Sequence, residues 1–197
     1  MDKKDVSAFF DSLADFWDNN MIKTQWKIER ILDVAEVTEG KTVLDVACGT
    51  GVLIPDYLKR NVAKCIAIDI SERMIEIATS KFGEQRSVTF ICDDAEQYEF
   101  PEKFDCVVIY NAFPHFSNRK QLFENLSKCL KNSGRITVAH GMSREDLLKH
   151  HSGSAAKVSS LLPEAEELAK FMETYFNIDI VESTDEIYIV SGKKHRC

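Results

Sequence analysis

The spacing of apolar positions changes character near residue 42. Before it, Val6, Phe9, Phe10, Leu13 and Trp17 recur at helical intervals and predict one apolar face over residues 6–17. Ile28, Ile31, Leu32 and Ala35 predict a second helix over about 24–36. From there on, short β-rich runs alternate with helical ones, at 42–47, 64–69, 88–92, 104–110 and 135–140. That alternation predicts a parallel sheet with helices on both faces. Two last runs, 177–181 and 186–190, are separated by few residues and predict an antiparallel pair.

The intervening helices carry punctuation. Ser71 can cap a helix bearing Met74, Ile75, Ala78 and Phe82, with Gly83 as its stop. Asn118 followed by Gln121 resembles a capping box, and Gly134 is expected to follow that helix. Pro163 suits the first turn of a helix presenting Ala165, Leu168, Ala169 and Met172. The expected architecture is α/β, a doubly wound and mostly parallel sheet of seven strands whose last strand is antiparallel. Residues 1–40 are expected to form an N-terminal helical cap, and 41–197 the main domain. Segment 141–163, after the fifth strand, is the longest stretch without a sheet element. Open α/β sheets place ligand-contacting loops there.

Composition narrows the function. The 197 residues are 44% hydrophobic and 29% charged, the balance of one globular domain with a buried core. Net charge is −7, without a basic stripe, which opposes general nucleic-acid binding. The longest apolar run, 106–110, is too short to span a bilayer, and the N-terminus lacks the apolar stretch of a secretion signal. Six cysteines contain no C-x-x-C pair, so reduced thiols and a cytoplasmic setting are expected.

The most informative stretch runs from Val43 to Gly51, where a β-rich run enters a Gly49-Thr50-Gly51 turn ahead of a helix. Glycine lets the backbone approach a ligand closely and adopt positive φ. Asp69 ends the second strand, where a carboxylate can accept both hydroxyl protons of a ribose. A dinucleotide turn would need a third glycine three residues after Gly51, and Ile54 stands there. Asp45, just before the turn, would repel a diphosphate and attract a cation. The pattern therefore favours a positively charged nucleoside over a pyrophosphate.

Four blocks, Asp45–Gly51, Ile68–Ser71 with Met74, Cys92–Glu96 and Phe104–Asn111, stand in an order and spacing that resembles class I S-adenosylmethionine-dependent methyltransferases. The likeness covers about residues 40–192 and is greatest to the small-molecule branch typified by quinone C-methyltransferases. The leading segment from Phe9 to Asp18 adds to it, and Ala47 departs from the glycine many members carry. The resemblance implies a Rossmann-like methyltransferase fold and S-adenosyl-L-methionine as cofactor. It implies that Gly49 and Gly51 border the methionine moiety, that Ala47 and Thr50 belong to the same cofactor site, and that Asp45 lies near the ammonium. By the same resemblance Asp69 holds the ribose, Ile70 and Met74 meet the adenine, Asp94 accepts from the adenine amine beside Ala95, and Asn111 lies by the methionine carboxylate.

The expected activity is methyl transfer to a small, partly apolar acceptor, with S-adenosylhomocysteine as the other product. A sulfonium already activates its methyl group, so the protein mainly positions the reactants and excludes water. Two rivals are a nicotinamide-dependent oxidoreductase and a non-catalytic cofactor-binding domain that regulates a partner. Four of the five histidines, His115, His140, His150 and His151, follow the carboxyl ends of strands four and five. His115 or His140 could serve as a general base. His115, His140 and His150 or His151 could instead bind a metal, or all could be structural. Phe113 and Phe116 would wall the acceptor near His115. Phe9, Phe10, Leu13 and Trp17 would form the underside of a lid, whose acids Asp2, Asp5, Asp11 and Asp15 argue against a membrane role. Asn111-Ala112-Phe113-Pro114 breaks the Pro-Pro motif of exocyclic-amine methylation, another argument against nucleic acid.

Overall fold

The computed structural model describes residues 2–20, 23–150 and 157–195. Among these, seven strands build one sheet: β1 (Thr42–Val46), β2 (Lys64–Asp69), β3 (Val88–Cys92), β4 (Phe104–Tyr110), β5 (Leu130–His140), β6 (Phe176–Ser183) and β7 (Tyr188–Lys194). Their order is β3-β2-β1-β4-β5-β7-β6. Strands β1 to β5 pair in parallel. β7 runs antiparallel to both β5 and β6. The winding direction reverses between β1 and β4. That opens a crevice beyond their carboxyl ends, the ligand position of doubly wound sheets.

The central strands read as unbroken apolar runs because both faces of the sheet are covered. On one face Leu44, Ile66, Val107 and Ile136 join Phe123 of α5 (Arg119–Cys129) and Leu168 of α7 (Ala165–Met172) in a core. On the other, Val43, Cys65 and Val108 pack with Ile28 and Leu32 of α2 (Gln25–Val34) and Tyr57 of α3 (Ile54–Lys59). α2 is thus part of the covering layer, and among the described residues of 1–40 it is α1 (Lys3–Asn20) that lies beyond the strand tips.

The Ser71 side chain accepts from Met74 N at the start of α4 (Glu72–Phe82), as expected, and Asn118 accepts from Gln121 N at the start of α5, but the Asn118 amide donates to Glu96 Oε1 at 2.8 Å, so the cap there is not the expected reciprocal box. Three further expectations are corrected. Gly134 does not stop α5: the chain passes directly into β5, and Gly134 lies inside that strand. A Cβ there would fall 2.9 Å from Phe104 O, so the glycine serves a close backbone approach. Pro163 lies before α7, whose N-cap is Glu164 in a capping box with Glu167. The inner stripe of α1 is Val6, Phe10, Ala14 and Trp17, while Leu13 is 37% exposed. With aromatic residues on several sides of the helix, period alone does not select the buried face.

α1 is fastened along its length. Ser7 Oγ donates to Ile70 O at 3.1 Å. Asp11 Oδ1 accepts from Ser71 Oγ at 2.6 Å and from Arg73 N at 3.1 Å. Asp15 pairs with Arg73 at 2.7 Å, and Asp18 accepts from Thr50 Oγ1 at 2.6 Å. The acids at 11, 15 and 18 thereby bind the helix to α4 and to the glycine turn.

Candidate functional site

A cavity of about 1070 Å³, mouth included, opens where the β1, β2 and β4 tips meet α1. Of the sequence-predicted residues it gathers Asp45, Ala47, Gly49, Asp69, Ile70, Met74, Asp94, Ala95 and Asn111 in its walls, together with Trp17, His115 and Phe116. Thr50 and Gly51 stand behind the wall. Thr50 is fully buried and bonded to Asp18, and the Gly51 amide donates to Cys48 O at 3.0 Å. Phe113 is no acceptor wall: it is buried in the core, stacked on Phe123, because the 3₁₀ turn Phe113–His115 directs it inward. Phe9 is likewise not among the lining residues and packs edge-on against Phe10.

The turn is held by backbone geometry. Ala47, Gly49 and Gly51 adopt φ of 56°, 55° and 81°. Such left-handed residues alternate with ordinary ones and fold the chain tightly at the tip of β1; for Ala47 this is strained. A Cβ at Gly49 would lie 3.7 Å from Trp17 Nε1, in the space between the turn and α1. A Cβ at Gly51 would meet Phe82 at 3.0 Å, so Gly51 answers a packing need. Asn111, at φ 54°, uses its side-chain oxygen to accept from Gly141 N at 2.9 Å, which ties the β4 tip to the segment after β5.

Five carboxylates (Asp45, Asp69, Asp93, Asp94 and Glu96) line the cavity against one ammonium, Lys3. Asp69 Oδ2 accepts from Gly49 N at 2.8 Å and Oδ1 from Ser71 N at 2.9 Å. Burial raises the Asp69 pKa, and these backbone bonds oppose the rise. Burial, with Asp69 nearby, pushes Asp45 up to about 7, while the Tyr57 hydroxyl draws it down. Among the described residues Asp45 Oδ2 has no hydrogen-bond partner. A buried, unpartnered carboxylate oxygen at this site suits a cationic ligand and opposes a diphosphate.

Lys3, Glu96 and Tyr110 also line the cavity, and sequence reasoning assigned them no role. Lys3 bridges Asp94 and Glu96, the latter at 2.7 Å. Burial works against its ammonium, but the two carboxylates outweigh that and raise its pKa. Glu96 also accepts from Asn118 N at 2.8 Å. The signal for Glu96 was present, one residue beyond the Asp94-Ala95 pair. Lys3 gave none, because its partners are distant in sequence.

The histidines separate. His115 lines the cavity, with the Phe10 ring edge-on at 4.9 Å. His140 is fully buried, edge-on to Tyr188 at 5.8 Å, and is not among the lining residues. Its ring belongs to the β5–β7 pairing, where His140 stands opposite Tyr188. His150 ends α6 (Arg144–His150); its side chain and all of His151 lie outside the described residues. Among the described residues no group of three or more His, Cys, Asp or Glu side chains is placed to hold a metal ion. No described helix is long and apolar enough to cross a membrane.

Residues 43–134 match the family described as "Methyltransferase domain". The chain is 33% identical over 146 residues to the ubiquinone/menaquinone biosynthesis C-methyltransferase UbiE of Methylococcus capsulatus, covering 68% of this chain and 58% of the relative. It is 28% identical over 138 residues to malonyl-[acyl-carrier protein] O-methyltransferase 2 of Ilyobacter polytropus, covering 69% of this chain and 53% of that one. The chain spans about half the length of the first curated relatives it matches. The N-methyltransferase NodS of Bradyrhizobium japonicum, solved in complex with S-adenosyl-L-homocysteine, shares the fold, with a TM-score of 0.72, 12% identity, and coverage of 97% of this chain and 99% of that one. The matched segment contains the glycine turn, Asp69, Asp94 and Asn111, and over it the chain matches the methyltransferase domain family.

Proposed function

We propose that this chain transfers the methyl group of S-adenosylmethionine to a small, partly apolar acceptor. The observation that carries the reading is an acidic cavity, with the unpartnered Asp45 oxygen, closed by the Phe10 and Trp17 side of α1. Asp69 would accept from the ribose hydroxyls with its remaining lone pairs, and Asp45 would face the ammonium. Asp94 would take the adenine amine once Lys3 moves aside. Asn111, fixed by Gly141, would stand by the methionine carboxylate. When bound, the cofactor supplies a methyl group on a sulfonium, which needs no further activation. The lid supplies apolar walls that keep water from the reacting atoms.

The acceptor in this reading is a small molecule, as the printed names of the quinone relatives suggest. Nucleic acid is disfavoured by a net charge of −7 and the five carboxylates at the site. A cytoplasmic setting is part of the reading and rests on five free cysteine thiols among the described residues, four of them buried. Calorimetry with S-adenosylhomocysteine tests it: saturable one-site binding is expected. Saturation by NAD in its place would select the oxidoreductase reading. Tight S-adenosylhomocysteine binding with no radiolabelled methyl transfer across a broad acceptor panel would select the regulatory one.

A further inference from the structure

Residues 157–163 form a strap across the 3₁₀ turn that carries His115. Val158 and Leu162 are buried under it. Ser160 donates to Pro114 O through both its amide, at 2.8 Å, and its hydroxyl, at 2.9 Å. Arg119, at the start of α5, donates to Ser160 Oγ and to Leu161 O. Arg144 Nε donates to Leu162 O at 2.9 Å, and Tyr188 Oη to Pro163 O at 3.2 Å. The strap sets Val158 O 2.8 Å from His115 Nδ1, with Ser159 Oγ at 3.2 Å.

A carbonyl oxygen has no proton to give, so a contact at 2.8 Å requires the proton on Nδ1. In the neutral ring Nε2 then holds the lone pair. His115 also lines the cavity, beside Phe10 and Phe116. The surrounding carboxylates repel an anionic acceptor, so the apolar space favours a neutral one.

Building on the methyl-transfer reading, we propose that the strap locks His115 in the Nδ1–H tautomer so that Nε2 takes the proton of a neutral, hydroxyl-bearing acceptor. Arg119 and Ser160 act as positioning residues through Val158. The acceptor O–H bond breaks and its proton passes to Nε2. The oxygen's electron pair bonds to the methyl carbon, and the carbon–sulfur pair stays on sulfur. Methyl ether, neutral S-adenosylhomocysteine and imidazolium result, and the imidazolium returns its proton to water. Free carboxylates are excluded as acceptors, being both anionic and without a proton to give.

Nitrogen-15 NMR of the full-length labelled protein at pH 8 reads the tautomer. A protonated Nδ1 and a bare Nε2 on His115 are expected, and the reverse overturns the proposal. Arg119→Gln and, independently, Ser160→Ala should spread the signal over both tautomers, with Arg119→Lys restoring part of the wild-type pattern. An unaltered tautomer in both weakened variants overturns the positioning role. In the complex with S-adenosylhomocysteine, 1-naphthol should shift the Nε2 resonance and 1-methoxynaphthalene should not. Equal responses, or none from either, overturn the hydroxyl assignment. Failure of S-adenosylhomocysteine to bind defeats the cofactor reading separately, because the tautomer is readable without it.

Discussion

The Gly49 amide donates to Asp69 Oδ2 at 2.8 Å, joining the glycine turn after β1 to the tip of β2. One carboxylate therefore braces the turn and faces the cavity in which a nucleoside ribose would lie. On the proposed reading, binding and local structure depend on the same side chain.

Asp69→Ala removes both roles. Hydrogen bonds to a charged group contribute about 1.5–3 kcal/mol each, so affinity for S-adenosylhomocysteine should fall by ~100-fold or more. Calorimetry reads the loss, and unchanged affinity would refute the ribose assignment. Asp69→Asn, which keeps an oxygen for the Gly49 amide, should melt closer to wild type than Asp69→Ala while still losing affinity.

Asp45 makes the site sensitive to pH. Its pKa, raised by burial to about 7, lies above its value in the unfolded chain. The folded state therefore holds a proton that the unfolded state has released, and stability declines as pH rises from about 4 through 7. Asp45→Asn should raise Tm at pH 8 by about 3–6 °C and change it little at pH 4. A ligand ammonium favours the ionised carboxylate. Binding of S-adenosylhomocysteine below pH 7 should thus release protons and tighten towards pH 7, as read by calorimetry in buffers of different ionisation enthalpy. The variant should bind more weakly and lose that trend.

Lys3 occupies Asp94, the carboxylate assigned to the adenine amine. Cofactor entry then requires Lys3 to release Asp94, with Glu96 able to retain it. A partly exposed ion pair contributes about 0.2–1 kcal/mol, so Lys3→Met should speed S-adenosylhomocysteine association about 2–5-fold. Trp17, beside Gly49 in the lid, is the fluorescence reporter for a stopped-flow measurement. A slower association in the variant would contradict the latch.

The two turn glycines should fail differently. An alanine at positive φ costs about 1–2 kcal/mol, which applies to both. Gly51→Ala adds contacts at 3.0 Å with Phe82 and 3.2 Å with Ile54, and should lower Tm more than Gly49→Ala. Gly49→Ala should instead lose more affinity for S-adenosylhomocysteine, since its Cβ enters the space between turn and lid. Thermal melts and calorimetry on the pair separate packing from ligand approach.

Most strand positions, the Ser71 and Asn118 N-caps and the glycine turn were legible from the chain, because each depends on neighbours a few residues away; β5 instead starts at Leu130 rather than near 135, and β7 spans Tyr188–Lys194 rather than 186–190. The buried face of α1 was not. Phe9, Phe10, Leu13, Phe16 and Trp17 surround much of that helix, and Trp17 faces inward because Gly49 leaves room beneath its ring. The aromatic residues flanking His115 were equally ambiguous, and the 3₁₀ turn sends Phe113 into the core while Phe116 stays in the wall.

Local spacing was enough to specify the alternating α/β chain, the tight turn and an acid at the tip of the second strand, since backbone preference and apolar period act over short distances. Long-range contacts settled the rest. Lys3 reaches Asp94 across the cavity, and Val158 O reaches His115 from a segment beyond β5. His140 and His115 both follow strand tips in sequence, yet one is sealed against Tyr188 and the other faces the cavity. Such differences arise from which side chains close packing leaves beside open space, and that depends on elements far apart along the chain.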